Sequence, residues 1–388
     1  MPLQRSSLQM ALLAQVPSQP MSKKQYFAEW DAWAKQPNQN PQENRKKAVK
    51  KMGRWLKADQ PDKELELDYL GLTSLPENLP ASLRKLSLCG NRLTSLPENL
   101  PAALQKLIVI GNQLTSLPEN LPAALQTLWV PNNSLTRLPE NLPASLQELI
   151  ANKNQLTSLP ENLPASLRKL DVPQHQLSRL PENLPASLRD LIVDDNRLTS
   201  LPQNLPASLK ELIANKNQLT SLPQNLPASL WQLIVYDNRL TSLPQNLPAS
   251  LYRLNAHRNQ LTSLPENLPA SLRELSVHDN QLTSLPENLP ASLHGLYADN
   301  NQLTSLPENL PALLQRLNVN SNQLTSLPAN ITATRTSVCD VNLVNNRLSD
   351  QMIQSLRAII NAEGYQGPRF SFFPIPSAGS IEPGHGNS

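Results

Sequence analysis

A Leu-Pro dipeptide recurs thirteen times at a spacing of 21 residues, from Leu75-Pro76 to Leu327-Pro328. The residues between these dipeptides follow one template, seen whole over residues 180–200, whose leucine and asparagine spacing is that of a short leucine-rich repeat. One such unit cannot bury its own leucines, so its stability must come from stacking on its neighbours. The sequence therefore predicts an α+β repeat solenoid: a leucine-rich-repeat horseshoe with a parallel, concave β-sheet.

The template distinguishes core positions from turn positions. Within residues 188–198, Leu188, Leu191 and Val193 stand where alternate strand positions point inward. An asparagine then recurs where a buried amide can satisfy backbone groups left unpaired at the turn. Its positions are Asn91, Asn112, Asn133, Asn154, Asn196, Asn217, Asn238, Asn259, Asn280, Asn301 and Asn322. Leu70 and His175 occupy this position in two repeats, and we interpret His175 as a structural substitute.

Two prolines in each repeat account for most of the 37 prolines in the chain. Proline fixes φ and removes an N–H donor, which favours extended backbone and excludes a regular helix on the return side. The sequence therefore predicts an irregular, proline-rich convex side, and the proline content does not indicate disorder.

Helical spacing of apolar residues predicts an N-terminal two-helix cap over residues 23–60. The first helix carries Tyr26, Trp30 and Trp33, and the second carries Val49, Met52, Trp55 and Leu56. We expect the cap to cover the first strand edge. Residues 1–22 are predicted to be a flexible leader and a candidate secretion signal. The second helix also carries basic residues, which we interpret as a solvated face, with nucleic-acid or anionic-lipid contact as the alternative: Arg45, Lys46, Lys47, Lys50, Lys51, Arg54 and Lys57.

The 21-residue period breaks after Pro328, so we place the solenoid at residues 61–348 and a C-terminal cap at residues 349–373. Residues 351–362 have the apolar spacing of an amphipathic helix, and residues 370–373 form an apolar closing segment. The segment 374–388 is rich in Pro, Gly and Ser and is predicted to be disordered. Self-association through the solenoid ends stays open as an alternative.

Charge and cysteine content indicate which surfaces are basic or acidic and in which compartment the protein functions. The formal net charge is +3, but residues 1–60 carry 11 Lys and Arg against 4 Asp and Glu, whereas the remainder carries 23 against 27. The cap is therefore basic and the solenoid mildly acidic. Cys89 and Cys339 lie too many coils apart to form a disulfide, which favours a reducing compartment. We find no stretch apolar enough to span a membrane, and residues 10–16 are too short for a convincing signal peptide.

Catalytic and metal-binding patterns are sparse. We find no glycine-rich phosphate loop, metal-spaced cysteine cluster or Ser/His/Asp arrangement, so we predict no cofactor, no metal and no small-molecule substrate. His257, His278 and Asp299 share one position in consecutive repeats and could converge on a metal, but solvent-facing positions accept polar residues freely. Cys339 beside Asp340 lacks a surrounding catalytic domain and is interpreted as structural.

Three features together resemble bacterial type III secreted effectors of the IpaH/YopM leucine-rich-repeat type. They are the cap helix from Tyr26 to Trp33, the short L-P-E-N-L-P repeats and the exit segment Tyr365-Gln-Gly-Pro368. The resemblance implies secretion by a bacterium, delivery to the host cytoplasm or nucleus, and a host signalling protein as partner.

The same resemblance leaves two functions to compare. In IpaH-type members the exit segment leads into a helical ubiquitin-ligase domain with a catalytic cysteine, whereas only 15 residues follow Phe373 here. We therefore expect a non-enzymatic adaptor or inhibitor. The alternative is the substrate-recognition portion of such a ligase, with its catalytic domain truncated or absent from this chain. An extracellular recognition module is disfavoured because disulfide caps are missing.

The positions that the template leaves free predict the binding surface. They alternate with the inward leucines, so we expect their side chains to face solvent on the concave side and to stay outside the core. The expected contact residues are Ile108, Trp129, Ile150, Ile192, Ile213, Ile234, Tyr236, His257 and His278. Strand propensity alone also explains exposed isoleucines. A contiguous apolar stripe, however, is typical of a protein interface.

Overall fold

The computed structural model describes residues 19–372, and its contacts divide the chain into two compact units, Met1–Asn154 and Gln155–Ser388. The leader prediction for residues 1–18 and the tail prediction for residues 374–388 lie outside the described residues. Each unit is described below by itself.

The first unit begins with two helices, α1 (Lys23–Ala34) and α2 (Arg45–Ala58). Five short strands follow, each paired in parallel with the next along the chain. They are β1 (Leu65–Glu66), β2 (Lys85–Ser87), β3 (Lys106–Ile108), β4 (Thr127–Trp129) and β5 (Glu148–Ile150). The predicted two-helix cap and parallel repeat sheet are confirmed here.

Aromatic side chains attach the cap to the first repeats. Trp30 is fully buried, and its Nε1 donates to the carbonyl oxygen of Asn78 at 2.9 Å. Trp55 Nε1 donates to the carbonyl oxygen of Lys63 at 2.7 Å, directly before β1. Because these donors are satisfied within the protein, the tryptophans bury their rings without leaving a polar atom unpaired.

Arg45 does not belong to the solvated basic face that its sequence position suggested. It is buried, lies 3.3 Å from Glu43 Oε1 and donates to the carbonyl oxygen of Trp33 at 2.9 Å. Its guanidinium also lies 4.8 Å from the Trp33 ring centroid. Arg45 therefore joins the two cap helices, and the remaining basic residues of α2 form its outer face.

The second unit continues the repeat with nine strands, and a tenth closes the sheet. The strands are β6 (Lys169–Asp171), β7 (Asp190–Ile192), β8 (Glu211–Ile213), β9 (Gln232–Ile234), β10 (Arg253–Asn255), β11 (Glu274–Ser276), β12 (Gly295–Tyr297), β13 (Arg316–Asn318), β14 (Asp340–Asn342) and β15 (Arg369–Ser371). A 3-10 helix, Ala329–Thr332, stands where the period breaks. Helix α3 (Asp350–Ile360) precedes β15.

Helix α3 buries less of its apolar face than a packed cap helix would. Leu356 is buried, whereas Ile359 is 47% exposed and Met352, Ile353 and Ile360 are half-buried. The segment after the helix turns back and adds β15 beside β14, with Phe370 paired to Val341. The last strand edge of the repeats is therefore covered by backbone pairing.

Each repeat buries its leucines on the strand side and its prolines on the return side. In the repeat around β7, Leu188, Leu191 and Val193 are fully buried, and Pro181 and Pro185 are buried as well. The carbonyl oxygen of Pro185 accepts the Leu188 N–H at 3.1 Å, which forms a tight turn instead of a helix. The predicted leucine core and irregular, proline-rich return side are confirmed.

The asparagine ladder is buried and fully hydrogen-bonded, as the sequence predicts. Asn259 Oδ1 accepts the Leu240 N–H at 3.0 Å, and its Nδ2 donates to the carbonyl oxygens of Val235 at 3.1 Å and Ala256 at 3.0 Å. His175 takes over one half of this role, since its Nδ1 accepts the Leu156 N–H at 3.1 Å. Its interpretation as a structural substitute is confirmed.

Candidate protein-binding surface

The open face of the sheet, as we use the term, is the face opposite the leucine core. In β7, Leu191 is fully buried in the core, whereas Asp190 and Ile192 are half-buried on the open face. Asp194, two residues past the strand, lies half-buried at the next alternate position. The third strand residue and the residue two further on therefore form two columns that run from repeat to repeat.

The first unit carries an apolar cluster on its open face, which we call the first patch: Ile108, Trp129 and Ile150. These residues are paired directly across β3, β4 and β5. Lys106 Nζ lies 5.0 Å from the Trp129 ring centroid, within the range of a cation–π contact. Trp129 Nε1 is buried and has no hydrogen-bond partner among residues 19–372. The patch thus combines apolar area with a free donor.

The second unit carries a larger cluster, the second patch, made of Ile192, Ile213, Ile234, Tyr236, His257 and His278. The three isoleucines are paired across β7, β8 and β9. Beside them Tyr236 and His257 stack with ring centroids 4.3 Å apart at 9°, and His257 and His278 stack at 4.1 Å and 11°. Residues predicted separately from the sequence are therefore brought together as a column of isoleucines next to a column of rings.

The expectation that all these side chains face solvent is wrong for two of them. Ile108 is 8% exposed and Ile234 is 7% exposed, because neighbours in the adjacent repeats pack against them. Truncating either residue would affect folding as well as binding. Trp129, Ile150, Ile192, Ile213, Tyr236, His257 and His278 stay partly exposed.

Polar atoms of the open face in the second unit lack partners. His257 Nδ1 and His278 Nδ1 are buried without a hydrogen bond among residues 19–372, and so is Asn255 Oδ1. Buried polar atoms in folded proteins are almost always paired, so each such atom calls for an explanation. Because these atoms have no exposed surface, a ligand on this face could reach them only if the side chains rotate.

Burial controls the protonation of the ring stack. It lowers the pKa of His257 to about 4, and the neighbouring His278 and Arg258 act in the same direction against Asp279. Burial also raises the pKa of Asp299, while His278 beside it acts in the opposite direction. At neutral pH the centre of the stack is therefore an uncharged imidazole, which suits an apolar or hydrogen-bonding contact.

An acidic pair lies on the open face ahead of the second patch. Burial raises the pKa of Asp171 to about 6, with Lys169 opposing the shift and Asp194 adding to it. The pKa of Asp194 is raised as well, again mainly by burial. Asp171 stands in the same column as the isoleucines of the second patch, Asp194 stands in the other column, and both are held in a partly dehydrated setting.

The two cysteines and the histidine column offer little chemistry. Cys339 is 2% exposed, and burial raises the pKa of its thiol, which opposes thiolate formation. Cys89 is half-buried on the open face, with its Sγ 3.5 Å from Ser87 Oγ. His257 and His278 stack face to face, and among residues 19–372 no group of three or more His, Cys, Asp or Glu side chains is placed to hold a metal ion.

Sequence reasoning missed a second aromatic pair, Trp231 and Tyr252, each 38% exposed. They lie directly before β9 and β10, outside both columns, with ring centroids 6.2 Å apart at 73°. The signal was a pair of aromatic residues at one template-free position in consecutive repeats, a position elsewhere filled by Arg, Lys, Gln or His.

Stacked 21-residue coils with a leucine core and an asparagine ladder define a leucine-rich-repeat protein. A family model described as a type III secretion system leucine rich repeat protein matches residues 6–50, and a leucine-rich-repeat model matches residues 82–102. Among the helices within residues 19–372, none combines the length and the hydropathy needed to cross a membrane.

Solved structures give the family. YopM, a leucine-rich effector protein from Yersinia pestis, is 33% identical with a TM-score of 0.68, over 90% of this chain and 100% of that chain. A leucine-rich-repeat protein of Leptospira interrogans is 27% identical with a TM-score of 0.56, over 86% of this chain and 100% of that one. A search of curated proteins found no significant match. The chain belongs to the family of type III secreted leucine-rich-repeat effectors that includes YopM.

Proposed function

We propose that this effector binds a protein of the host cell through the open face of its repeats and acts without catalysing a reaction, as an adaptor or inhibitor. The second patch is the main contact surface, with Tyr236 as an aromatic anchor. The first patch adds a contact around Trp129.

The stack of Tyr236, His257 and His278 beside the isoleucine column is the observation that carries the proposal. A sheet face that only contacts solvent needs no contiguous cluster of rings and isoleucines. At protein interfaces, by contrast, a few aromatic and aliphatic side chains dominate the binding energy. Tyr236, His257 and His278 are each partly exposed, so a partner polypeptide could pack against the accessible parts of these rings. A protein ligand uses both the apolar and the polar part of this surface.

The experiment is a pull-down from host-cell lysate with the purified chain, followed by titration calorimetry with the retained protein. Tyr236→Ala and Trp129→Ala should each cost about 2 kcal/mol in binding free energy, roughly 30-fold in Kd. Tyr69→Ala is the control, because Tyr69 is an aromatic residue that is 80% exposed and lies outside both columns. Undiminished binding by the Trp129→Ala, Tyr236→Ala double variant would rule the open face out.

The non-enzymatic part of the proposal is supported by the surroundings of Cys339. A thioester-forming cysteine needs an accessible thiol with a lowered pKa, whereas this thiol is buried and its pKa is raised. We expect no ubiquitin transfer when the chain is incubated with a charged ubiquitin-conjugating enzyme. Transfer that Cys339→Ala abolishes would support the ubiquitin-ligase alternative instead.

A further inference from the structure

A groove opens at the strand-start edge of the sheet in the second unit, where Gly295 is the first residue of β12. The equivalent positions of the two adjacent strands carry long side chains, Glu274 in β11 and Arg316 in β13. Because Gly295 has no side chain, a gap of about 380 Å³ remains between them. Tyr297 leans over this gap, since a Cβ on Gly295 would lie 3.2 Å from Tyr297 Cε2.

Positive charge dominates the groove. Arg253, Arg273 and Arg316 line it together with a single carboxylate, Glu274. Glu274 is already engaged by Arg253, whose Nε lies 2.8 Å from Glu274 Oε2. Among residues 19–372, no carboxylate is paired with the guanidinium of Arg273 or Arg316. Two guanidinium groups are therefore available for an anion.

Neighbouring side chains position Arg273, one of these two groups, and the His294 ring beside it. The Arg273 guanidinium lies over the Tyr252 ring, with its Cζ 5.3 Å from the centroid. Tyr252 in turn packs against Trp231. His294 donates from Nδ1 to the carbonyl oxygen of Ser292 at 2.7 Å, which fixes its ring at the groove wall. A positioned guanidinium loses less conformational entropy on binding than a free one.

We propose that this groove binds an oxyanion side chain of a partner polypeptide, either a phosphorylated residue or a carboxylate. The planar guanidinium groups of Arg273 and Arg316 are suited to bidentate contacts with phosphate or carboxylate oxygens. Tyr252 and Tyr297 provide ring surface for the flanking peptide. The site rests on the proposed function only in taking a protein as ligand, because it lies at the strand-start edge and not within the second patch.

A polypeptide fits this surface better than a nucleic acid. The groove is lined by three arginines and one carboxylate, whereas the chain after residue 60 as a whole carries 27 Asp and Glu against 23 Lys and Arg. Asp279 and Asp299 lie in the turns that follow β11 and β12. A polyanion that extends beyond the groove would meet these carboxylates, while a single oxyanion on a peptide would not.

The test is fluorescence anisotropy with the full chain and three labelled degenerate peptide libraries that differ only in a central phosphoserine, glutamate or serine. We expect the phosphoserine or glutamate library to bind at least about tenfold more tightly than the serine library. Binding of the phosphoserine library alone identifies a phosphorylated ligand, and binding of both anionic libraries identifies a general oxyanion site. Equal binding of all three libraries overturns the proposal.

Variants locate the site. Arg273→Gln and Arg316→Gln should each weaken anionic-library binding about tenfold. Gly295→Gln should abolish it by filling the groove, and the Tyr297 ring must shift to admit the new side chain, whose Cβ would lie 3.2 Å from Tyr297 Cε2. Arg189→Gln is the matched control, an exposed arginine at the equivalent repeat position before β7.

Two outcomes would overturn the assignment. One is unchanged binding by Arg273→Gln and Gly295→Gln while their thermal melts match the parent chain. The other is tighter binding of a labelled single-stranded oligonucleotide that the same variants abolish, which would make a nucleic acid the ligand. Neither outcome depends on Tyr236→Ala, so failure of this site and failure of the open-face proposal can be told apart.

Discussion

Two ladders of side chains run through the same repeats of the second unit, two residues apart in sequence. They differ in whether their polar atoms are hydrogen-bonded within the protein. Asn238, Asn259 and Asn280 lie at the turn and use every amide atom within the protein. Tyr236, His257 and His278 lie on the open face, and the Nδ1 atoms of both histidines are buried without a partner in the described part of the chain.

The difference separates residues that build the fold from residues that are available to a ligand. A satisfied amide at the turn is needed because several backbone groups depend on it. Among residues 19–372, the rings of Tyr236, His257 and His278 contact one another and donate no hydrogen bond to the backbone, so the backbone does not depend on them as it does on the asparagines. In a solenoid, side chains on the open face that keep unsatisfied polar atoms are therefore better candidates for binding than side chains in the hydrogen-bonded ladder.

The largest effect expected from this comparison is at the N-terminal cap. The cap forms hydrogen bonds with backbone groups of the first coil, as the asparagines do in later coils. Glu43 Oε1 accepts from the Thr73 N–H and Oγ1 at 2.8 Å each, and Asn44 N–H donates to the carbonyl oxygen of Leu70 at 2.8 Å. Deleting residues 1–60 removes these partners and exposes the edge of β1. We expect aggregation in size-exclusion chromatography. A monodisperse, folded truncation would show that the cap is dispensable.

The next largest effect is the difference in the free energy of unfolding between alanine substitutions at Asn259 and His257, which lie two residues apart. Asn259→Ala leaves the Leu240 N–H and the Val235 and Ala256 carbonyl oxygens without their amide partner, which should cost about 3 kcal/mol in the free energy of unfolding. His257→Ala loses only ring stacking, about 1 kcal/mol. Urea unfolding measures both.

The control for this contrast is Asn259→His, because the chain already uses a histidine at the equivalent position of another repeat, His175. It should cost less than Asn259→Ala. If His257→Ala proves as destabilising as Asn259→Ala, the ring stack is structural and the separation of the two ladders fails.

The sequence predicted the asparagine ladder because a 21-residue period places every copy in the same surroundings. It predicted that Ile192, Ile213 and Ile234 share a face for the same reason. It did not predict that Ile234 is buried, since burial depends on which side chains neighbour it across the sheet. The groove at Gly295 was missed because it arises from a side chain that is absent between two long ones, which no single repeat reveals.

A smaller effect concerns the pH dependence of stability. His257 has a pKa of about 4 in the folded protein, against an ordinary value near 6.5 when unfolded. Between these values the unfolded chain binds the extra proton, so His257 lowers stability as the pH falls from about 6.5 to 4. His257→Phe keeps a ring in the stack and removes the titration. We expect its Tm, relative to the parent chain, to rise steadily as the pH is lowered through this window.

Nuclear magnetic resonance provides an independent measurement for His257. Its ring protons should titrate with a midpoint near the pKa of about 4. A midpoint above 6, together with a Tm difference that does not change with pH, would mean that the ring is hydrated and that the stack does not bury it.

The smallest effect has the opposite sign and comes from Asp171. Its folded pKa of about 6 lies above the ordinary value of about 3.9, so the folded chain binds the extra proton and the carboxylate lowers stability as the pH rises through this range. Asp171→Asn removes that charge, and its Tm should exceed that of the parent chain by about 1–2 °C at pH 7.5 and match it near pH 4. Asp31→Asn, at an exposed position of α1 away from this face, is the control. Equal gains at both pH values would show that burial of the Asp171 charge is not the cause. The expected pattern would instead show that the Asp171 charge lowers the stability of the folded protein. A destabilising charge is typical of a binding surface, whereas the residues of a structural ladder stabilise the fold.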